Sequence, residues 1–260
     1  MKQLFILILF CIFNVNLAQA ERIITIAGDE WCPINCAENS SEQGFLIEVA
    51  EQALGSMGYK VRYIELPWNR AVKLAREGQI DAIVGAFKDD APDFLFPTEH
   101  LLSISPSSLF TLSDSSWQFD DLSSLDSQVL GVVTSYDYGE KMNRYIAARS
   151  ELNDESLLSL FGNNVVSRNI DLLRNGRVDV IVASNVIFWY QTHKAGDAYR
   201  FIEVTQVQPE EPVYIAFSPA IEDGTSVIKD FDNGVRRMKS MQQVAKIANK
   251  YRIASKGSSP

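Results

Sequence analysis

One stretch of the chain occurs twice, first as Arg76-Glu77-Gly78-Gln79-Ile80-Asp81-Ala82-Ile83-Val84-Gly85-Ala86 and again as Arg174-Asn175-Gly176-Arg177-Val178-Asp179-Val180-Ile181-Val182-Ala183-Ser184. The Arg, Gly, Asp, Ile and Val positions are identical, and one further position exchanges Ile for Val. Each copy follows a helical stretch, and its Gly fits the left-handed position that ends a helix. The β-branched run that follows is typical of a buried parallel strand. The repeat therefore predicts one helix–Gly–strand device in each half of the chain, and we interpret Asp81 and Asp179 as structural residues.

The same alternation of strands and helices surrounds both copies. The first half predicts elements at Ile23–Ala27, Gly44–Gly55, Val61–Leu66, Trp68–Arg76 and Ala82–Ala86. The second half predicts elements at Val129–Val133, Tyr138–Ala148, Asn169–Arg174 and Val178–Ala183. Strands that alternate with helices form α/β layers. The sequence therefore predicts two α/β lobes.

The C-terminal segment contains too little to form a third lobe. It predicts a strand at Val213–Phe217 and then a helical stripe of apolar residues from Val227 to Tyr251. Such a segment buries its apolar face only by packing on an existing lobe, and we assign it to the first.

The chain then crosses between the lobes twice, near Leu109–Ser113 and near Thr205–Pro212, which predicts a hinge over a cleft. The expected division is 1–20 as a leader, 21–112 with 206–260 as lobe 1, and 113–205 as lobe 2.

The composition is that of a globular protein. The chain has 260 residues, 46% of them hydrophobic and 22% charged, and a formal net charge of −9. These values exclude a disordered, collagen-like or coiled-coil protein. A negative charge without a Lys/Arg run disfavours nucleic-acid binding. The sequence contains no G-x-S-x-G, H-E-x-x-H, Walker or G-x-G-x-x-G motif, so we expect neither an enzyme nor a cofactor.

The N-terminus has the features of a secretory signal peptide. Lys2 precedes the apolar run Leu4–Phe13, and Ala18-Gln19-Ala20 supplies the small residues of a cleavage site. The apolar run is about half as long as the ~20 residues that a membrane-spanning helix needs. We expect cleavage after Ala20 and a periplasmic protein that does not span the membrane.

Cys32 and Cys36 remain after that cleavage. An oxidising compartment favours a local disulfide between them, and two free thiols are the alternative. A redox site is disfavoured because C-x-x-x-C is not the thioredoxin spacing. A metal site is disfavoured because neither His100 nor His193 lies at metal-type spacing. We therefore expect a structural disulfide and no bound metal.

Candidate ligand-binding residues follow from the ends of the predicted strands. In open α/β sheets ligands bind beyond the carboxyl ends of the strands, and aromatic residues with a few polar groups usually line small-molecule sites. This rule selects the stretch Thr134–Tyr138, in which Thr134, Ser135 and Tyr136 are the principal candidates. It also selects Trp31, Trp68, Arg70, Phe87, Lys88, Ser184 and Asn185.

Structural roles stay open for several candidates. Trp31 alternatively braces the disulfide loop, Trp68 alternatively packs in the core, and Arg70 alternatively is a solvated helix charge. The polar residues of Thr134–Tyr138 alternatively cap the helix that follows them.

Several short motifs then occur in a characteristic order. They are Trp31-x-Pro33 after the first strand, Gly44-Phe45 at the first helix, Leu66-Pro67-Trp68-x-Arg70-Ala71, Gly78-x-Ile80-Asp81, Gly131-Val132-Val133 and the closing Lys250-Tyr251-Arg252-Ile253. In this order and spacing the chain resembles the periplasmic solute-binding proteins (family 3 type) that serve polar amino-acid ABC transporters. The resemblance covers nearly all of the chain after Ala20. It implies the two-lobed α/β periplasmic-binding-protein fold of type II, with two crossovers forming a hinge and a cleft lined by the same loops.

The chain departs from this family at the residues that hold a free amino acid. Members typically bind the α-carboxylate with an Arg after the third strand and the α-ammonium with an Asp in the second lobe. Counting along the motifs, these positions fall on Asp90 and Ser184, and Arg70 and Lys88 are the cations that could replace the Arg. A carboxylate beside Asp90 would be repelled. We therefore expect a different small polar or cationic ligand, stacked on one of the two candidate tryptophans.

These observations predict an exported solute-binding protein that captures a small polar molecule between two lobes for an ABC permease. A sensor module that reports to a membrane partner is the alternative. A carboxylate-based enzyme that uses Asp89, Asp90, Asp93 or Glu99 is a weaker alternative. We expect a monomer.

Overall fold

The computed structural model describes residues 21–105, 107–152 and 154–253 of the chain. The predicted signal peptide, residues 1–20, lies outside them. The strands are, in chain order, β1 (Arg22–Gly28), β2 (Tyr59–Glu65), β3 (Ala82–Ala86), β4 (Leu102–Ile104), β5 (Ser108–Leu112), β6 (Leu130–Val133), β7 (Leu157–Leu160), β8 (Val180–Ala183), β9 (Phe201–Gln206) and β10 (Glu211–Phe217). The helices are α1 (Phe45–Gly55), α2 (Trp68–Arg76), α3 (Glu140–Glu151), α4 (Val165–Arg174), α5 (Asn185–Ala195), α6 (Gly224–Ser240) and α7 (Gln243–Lys250).

The strands form two five-stranded sheets with the same architecture. The first has the order β2-β1-β3-β10-β4 and the second has the order β7-β6-β8-β5-β9. In each sheet a parallel trio is followed by a strand antiparallel to it, β10 in the first and β5 in the second. We call the first sheet with α1, α2, α6 and α7 lobe 1, and the second sheet with α3, α4 and α5 lobe 2. The predicted two-lobed α/β architecture is confirmed.

The repeated stretch adopts the same local structure in both lobes. Helices α2 and α4 each end at the arginine of the repeat. The glycine two residues later has a positive φ, +70° at Gly78 and +62° at Gly176. This left-handed conformation favours glycine and ends a helix. The predicted helix–Gly–strand device is present twice.

The repeated aspartates join neighbouring strands. The carboxylate of Asp81 accepts a hydrogen bond from the backbone N–H of Thr25 in β1 at 2.8 Å. The carboxylate of Asp179 accepts one from Val129, directly before β6, at 2.8 Å. Both side chains therefore hold the parallel trio of their sheet together, in agreement with their structural interpretation.

The core lies between the sheets and their helices. Every residue of β8 is buried, as expected of a parallel strand covered on both faces. Helix α1 buries an apolar face formed by Phe45, Leu46, Val49, Ala50, Ala53 and Leu54. Burying one large apolar side chain contributes roughly 1.5–3 kcal/mol, so this face holds α1 in place. Within the ranges given above, no helix has the length and apolar character of a membrane span.

The C-terminal segment packs on lobe 1. Strand β10 contains the predicted Val213–Phe217 and lies between β3 and β4. Helix α6 approaches α1 so closely that a Cβ at Gly234 would lie 2.4 Å from the backbone oxygen of Ala53. Tyr251 follows α7 and accepts a hydrogen bond from the backbone N–H of Gly44 at 3.0 Å. The segment thus completes the first lobe, as predicted.

The chain passes between the sheets twice, between Ile104 and Ser108 and between Gln206 and Glu211. The second passage lies within the predicted range. The first comes before the expected Leu109–Ser113, because Ser108–Leu112 already pairs with β8 and β9 in the second sheet. The second sheet is therefore built from a segment that begins at 108 and not at 113.

The two passages are bonded to each other. The hydroxyl of Ser107 donates to Oε1 of Gln208 at 2.5 Å. The backbone N–H of Val207 donates to the carbonyl oxygen of Ser107 at 3.0 Å. A bend in one passage therefore involves the other.

Candidate functional site

Two adjacent cavities lie between the lobes, where β1, β3, β6 and β8 end. The outer cleft has a volume of about 480 Å³ and is lined by Asp29, Trp31, Trp68, Val84, Gly85, Phe87, Asp90, Tyr136, Asp137 and Tyr138. The more enclosed inner cavity has a volume of about 290 Å³ and is lined by Trp31, Val133, Tyr136, Tyr138, Val166, Asn169, Val182, Ala183 and Ser184. Both spaces are partly open to solvent, and their lining of aromatic side chains with a few polar groups is typical of small-molecule sites. Ligands of open α/β sheets bind at this edge.

The loop after β1 places Trp31 between the two cavities. Its side chain is 8% exposed. The backbone N–H of Trp31 donates to the carbonyl oxygen of Asn35 at 2.8 Å, and the Asn35 amide donates to the carbonyl oxygen of Asp29 at 2.6 Å. A disulfide between Cys32 and Cys36 closes the loop, which confirms the predicted pairing. Trp31 therefore both belongs to the braced loop and lines the cleft.

Aromatic rings form much of the cleft wall. Gly85 has a φ of +83°, and a Cβ there would lie 3.3 Å from the Trp31 ring, so the glycine lets the indole pack directly on β3. The Phe87 ring meets Trp31 edge-on, with centroids 6.0 Å apart and planes at 88°. Trp68, the first residue of α2, adds a further ring to the wall. Flat hydrocarbons and cations both bind well to such surfaces.

One hydrogen bond spans the cleft from lobe to lobe. The hydroxyl of Tyr136, after β6, donates to the carboxylate of Asp29, after β1. Burial raises the pKa of Asp29 from 3.8 to about 6, and the Tyr136 hydrogen bond partly opposes that rise. Burial and the adjacent Asp29 charge raise the pKa of Tyr136 well above its ordinary value, so its hydroxyl stays a donor. The lobes are thus in direct polar contact.

A second carboxylate faces the cleft from lobe 1. The carboxylate of Asp90 accepts a hydrogen bond from the backbone N–H of Phe87 at 3.0 Å. Burial raises the pKa of Asp90 from 3.8 to about 6, and Asp137, Glu211 and Asp89 add to the rise. Asp137 of lobe 2 also lines the cleft, which therefore carries acidic side chains from both lobes.

The inner cavity exposes polar atoms that have no partner in the described part of the chain. Ser184 is 3% exposed and Asn169 is 1% exposed, and neither the Ser184 hydroxyl nor the Asn169 Oδ1 has a hydrogen-bond partner there. The Asn169 amide nitrogen donates to the carbonyl oxygen of Gly131 at 3.2 Å, which leaves its oxygen as the free acceptor. Buried polar groups are normally hydrogen-bonded, so these two atoms are suited to a bound molecule.

The structure brings together Trp31, Trp68, Phe87, Asp90, Tyr136 and Ser184 from the sequence-based candidates. The carboxylate of Asp137 also lines the cleft, and it accepts hydrogen bonds from the backbone N–H of Gly139 at 2.8 Å and the amide of Asn143 at 2.6 Å. Asp137 therefore braces the turn before α3 and lines the cleft, but it does not cap the helix, because α3 has no side-chain cap.

The other candidates line neither cavity. Arg70 and Lys88 are exposed, and the Lys88 ammonium lies 5.5 Å from the centroid of the Tyr214 ring. Thr134 and Ser135 are also exposed. Position after a strand brings a residue near the cleft but does not set the direction of its side chain.

Asn185 is the remaining candidate outside both cavities. It is half-buried at the first position of α5, directly after Ser184. Its Oδ1 is nevertheless buried and has no hydrogen-bond partner in the described part of the chain.

Two lining residues were not among the candidates. Asp29 directly follows β1, so the strand-end rule contains a signal for it. Asn169 lies on α4 in a helix face that is otherwise apolar, with Val165, Val166, Ile170 and Leu173 buried beside it. A buried Asn in such a face was its only signal.

The acidic residues considered for an enzyme do not converge. Asp93 pairs with Arg76 at 2.8 Å, and Glu99 pairs with Lys239 at 2.7 Å. Of the acidic group 89–99, only Asp90 lines the cleft. The described residues also contain no group of His, Cys, Asp and Glu that could hold a metal ion.

Comparison with known proteins connects these features to a family. Residues 23–93 match the sequence model of bacterial extracellular solute-binding proteins, family 3. No curated protein matches the chain.

Several solved structures share its fold. A mutant of ArgBP from T. maritima is 13% identical with a TM-score of 0.70, covering 89% of this chain and 96% of that one. An ABC uptake transporter substrate-binding protein from Streptococcus pneumoniae with bound histidine is 17% identical with a TM-score of 0.71, covering 88% and 92%. A histidine kinase sensor domain similar to periplasmic binding proteins is 19% identical with a TM-score of 0.69, covering 89% and 96%.

These findings confirm the resemblance and the fold predicted from the sequence. The match to family 3 lies in the first part of lobe 1, and the structural similarity extends over both lobes. The type II two-lobed arrangement is therefore the fold of this chain.

Proposed function

We propose that this chain, with its family 3 match and its type II fold, captures a small polar molecule in the outer cleft between its lobes. The observation that carries the proposal is the contact of Tyr136 with Asp29 across a cleft walled by aromatic rings. Such a contact forms only when the lobes are together, so it links closure of the lobes to binding of a ligand in the cleft.

The cleft would take up its ligand by bending at the two passages between the lobes. In an open arrangement Trp31, Trp68 and Phe87 face solvent on lobe 1. Closure brings Tyr136 and Ser184 of lobe 2 against them and removes water from the ligand. The domain division that follows is lobe 1 up to the first passage with the C-terminal segment, and lobe 2 between the passages.

The cellular role we propose is delivery of the ligand to an ABC permease in the periplasm by a monomeric protein without catalytic activity. Support comes from the family 3 match and the fold shared with transporter proteins. The fold shared with a histidine kinase sensor domain supports a second candidate, a binding module that reports to a membrane partner. Uptake of radiolabelled ligand by cells with and without the gene separates the two candidates. Loss of uptake in cells without the gene indicates transport, and unchanged uptake indicates sensing.

A thermal-shift screen tests solute binding itself. The panel comprises amino acids, short peptides, amines, sugars and organic acids. A ligand at ~100 times its dissociation constant stabilises the protein by roughly 2.7 kcal/mol, which corresponds to a melting shift of roughly 5–10 °C at this size. At least one compound should give such a shift. A panel without any shift would contradict the proposal.

A further inference from the structure

We infer that the ligand is a small organic cation without a carboxylate, whose charged head lies between Asp29, Asp90 and the aromatic wall and whose other end donates a hydrogen bond in the inner cavity. The inference rests on the proposed function and narrows it to one chemical class.

The charge of the outer cleft selects a cation. Asp29, Asp90 and Asp137 line it, and no Lys, Arg or His is among its lining residues within the described ranges. Glu65 lies close enough to Asp29 to raise its pKa, and Glu211 does the same to Asp90. A ligand carboxylate placed here would meet like charges on both lobes, and such juxtaposition costs several kcal/mol.

The carboxylates of buried Asp29 and half-buried Asp90 are also only partly satisfied. Asp29 accepts from Tyr136 and from its own backbone N–H, and Asp90 accepts from the Phe87 amide, whereas an ionised carboxylate has about four acceptor sites. Neither forms a salt bridge with a cation of the described chain. A protonated amine offers up to three donors and a full positive charge. Such a head group would supply the donors and the positive charge that the carboxylates of this cleft lack.

The aromatic wall supports the same head group. Trp31 and Phe87 stand at right angles, and Trp68 lines the same cleft. Ring faces attract ammonium and guanidinium groups, most strongly where water is excluded. Trp31 is almost fully buried, so its part of the wall is dry.

The inner cavity defines the other end of the ligand. The free acceptor Oδ1 of Asn169 and the Ser184 hydroxyl lie in a wall that is otherwise mainly apolar, with Val133, Val166 and Val182. An amine, hydroxyl or ring N–H donor meets this arrangement. A carboxylate fits less well, because its oxygens would meet the lone pairs of the free Asn169 Oδ1.

The test is titration calorimetry with pairs of compounds that differ only by the carboxylate. Suitable pairs are cadaverine and lysine, putrescine and ornithine, agmatine and arginine, histamine and histidine, and tyramine and tyrosine. We expect at least one amine to bind at micromolar concentration and its amino acid to bind roughly 100-fold more weakly or not at all. An amino acid that binds as tightly as its amine overturns the inference.

Substitutions test where the two ends of the bound amine lie in the site. Asp90→Asn should weaken binding roughly tenfold or more, since the hydrogen bond is charge-assisted, whereas the exposed neighbour Asp89→Asn changes it less than about threefold. Ser184→Ala should weaken it about 3–10-fold, and the exposed Thr134→Ala should leave it unchanged. Equal effects of a variant and its control overturn the assignment. Melting curves of the free variants verify folding, and Asp29→Asn serves if Asp90→Asn does not fold.

The outcome separates this inference from the proposed function. If no amine binds but the broad screen yields a sugar, peptide or organic acid, the inference of a cationic ligand is wrong and the proposed solute binding stands. If neither experiment yields a ligand, both are wrong.

Discussion

The hydroxyl of Tyr136 on lobe 2 donates a hydrogen bond to the carboxylate of Asp29 on lobe 1. Asp29 is 8% exposed and has no cationic partner within the described ranges, so Tyr136 supplies part of the stabilisation that solvent would otherwise give it. The bond therefore acts as a latch between the lobes. It also places a donor of lobe 2 and an acceptor of lobe 1 where a ligand cation would complete the network.

Removing the latch should favour the open arrangement. Tyr136→Phe deletes the hydroxyl and leaves the Asp29 carboxylate with fewer donors, so we expect ligand affinity to fall roughly tenfold. Tyr199→Phe is the matched control, because Tyr199 is 80% exposed and lies outside both cavities. Calorimetry of both variants measures the difference. Unchanged affinity in Tyr136→Phe would show that the latch does not contribute to binding.

Acidification should stabilise the free protein and weaken binding of a cation. Burial raises the pKa of Asp29 and of Asp90 from 3.8 to about 6. Between about pH 4 and 6 the folded chain thus binds more protons than the unfolded chain, so the part of the free energy of unfolding due to these groups increases as the pH falls from 7.5 to 5. A cation needs the ionised carboxylates, so its dissociation constant should rise over the same interval.

Melting curves and calorimetry at pH 7.5 and 5 measure both effects. The groups that face these carboxylates are Tyr136 and Glu65 at Asp29, and Asp137, Glu211 and Asp89 at Asp90. The variant Asp29→Asn with Asp90→Asn is the control and should flatten the pH dependence of stability. Tighter binding of the cation at pH 5 would contradict the account.

The disulfide should hold Trp31 in place as well as stabilise the fold. It closes the short loop from Cys32 to Cys36, for which chain entropy gives about 2 kcal/mol at most. Replacing both cysteines by Ser should lower the free energy of unfolding by up to that amount and weaken ligand binding. Denaturant titration and calorimetry test the two parts. Alkylation and mass spectrometry of the exported protein should find no free thiol, and two alkylated cysteines would refute the pairing.

The contact of Trp31 with Gly85 can be separated from backbone strain. Gly85 and Gly58 both have positive φ, +83° and +90°. A Cβ at Gly85 meets the Trp31 ring, whereas a Cβ at Gly58 meets nothing within 4 Å. Alanine at either position should cost about 1–2 kcal/mol of stability from strain.

Only Gly85→Ala should also displace Trp31. We therefore expect ligand affinity to fall in Gly85→Ala and to stay unchanged in Gly58→Ala, as measured by calorimetry. Equal affinities in the two variants would mean that the indole position does not matter for binding.

Most strands and helices of the fold could be predicted, because their buried faces leave an apolar period in the sequence and the repeat shows the same pattern twice. The strands that escaped prediction are β4, β7 and β9, together with β5, which was expected to be a crossing between the lobes. Strands β4, β7 and β9 lie at sheet edges and mix buried with partly exposed residues, so they lack a clear period.

The site was predictable to the level of its loops. Trp31, Phe87 and Tyr136 follow strand ends and line the cleft. Arg70 satisfied the same rule, yet it lies on the exposed face of α2, because sequence position gives proximity along the chain and not side-chain direction. Asn169 comes from a helix of lobe 2 and meets the site only through tertiary packing.

Closure of two lobes over a bound solute is the central claim, and small-angle X-ray scattering of the protein with and without a saturating ligand from the thermal-shift screen tests it most directly. The account predicts that the radius of gyration decreases on binding, and that Tyr136→Phe has a larger radius than the natural chain without ligand. Identical scattering profiles with and without a ligand that calorimetry shows to be bound would contradict it.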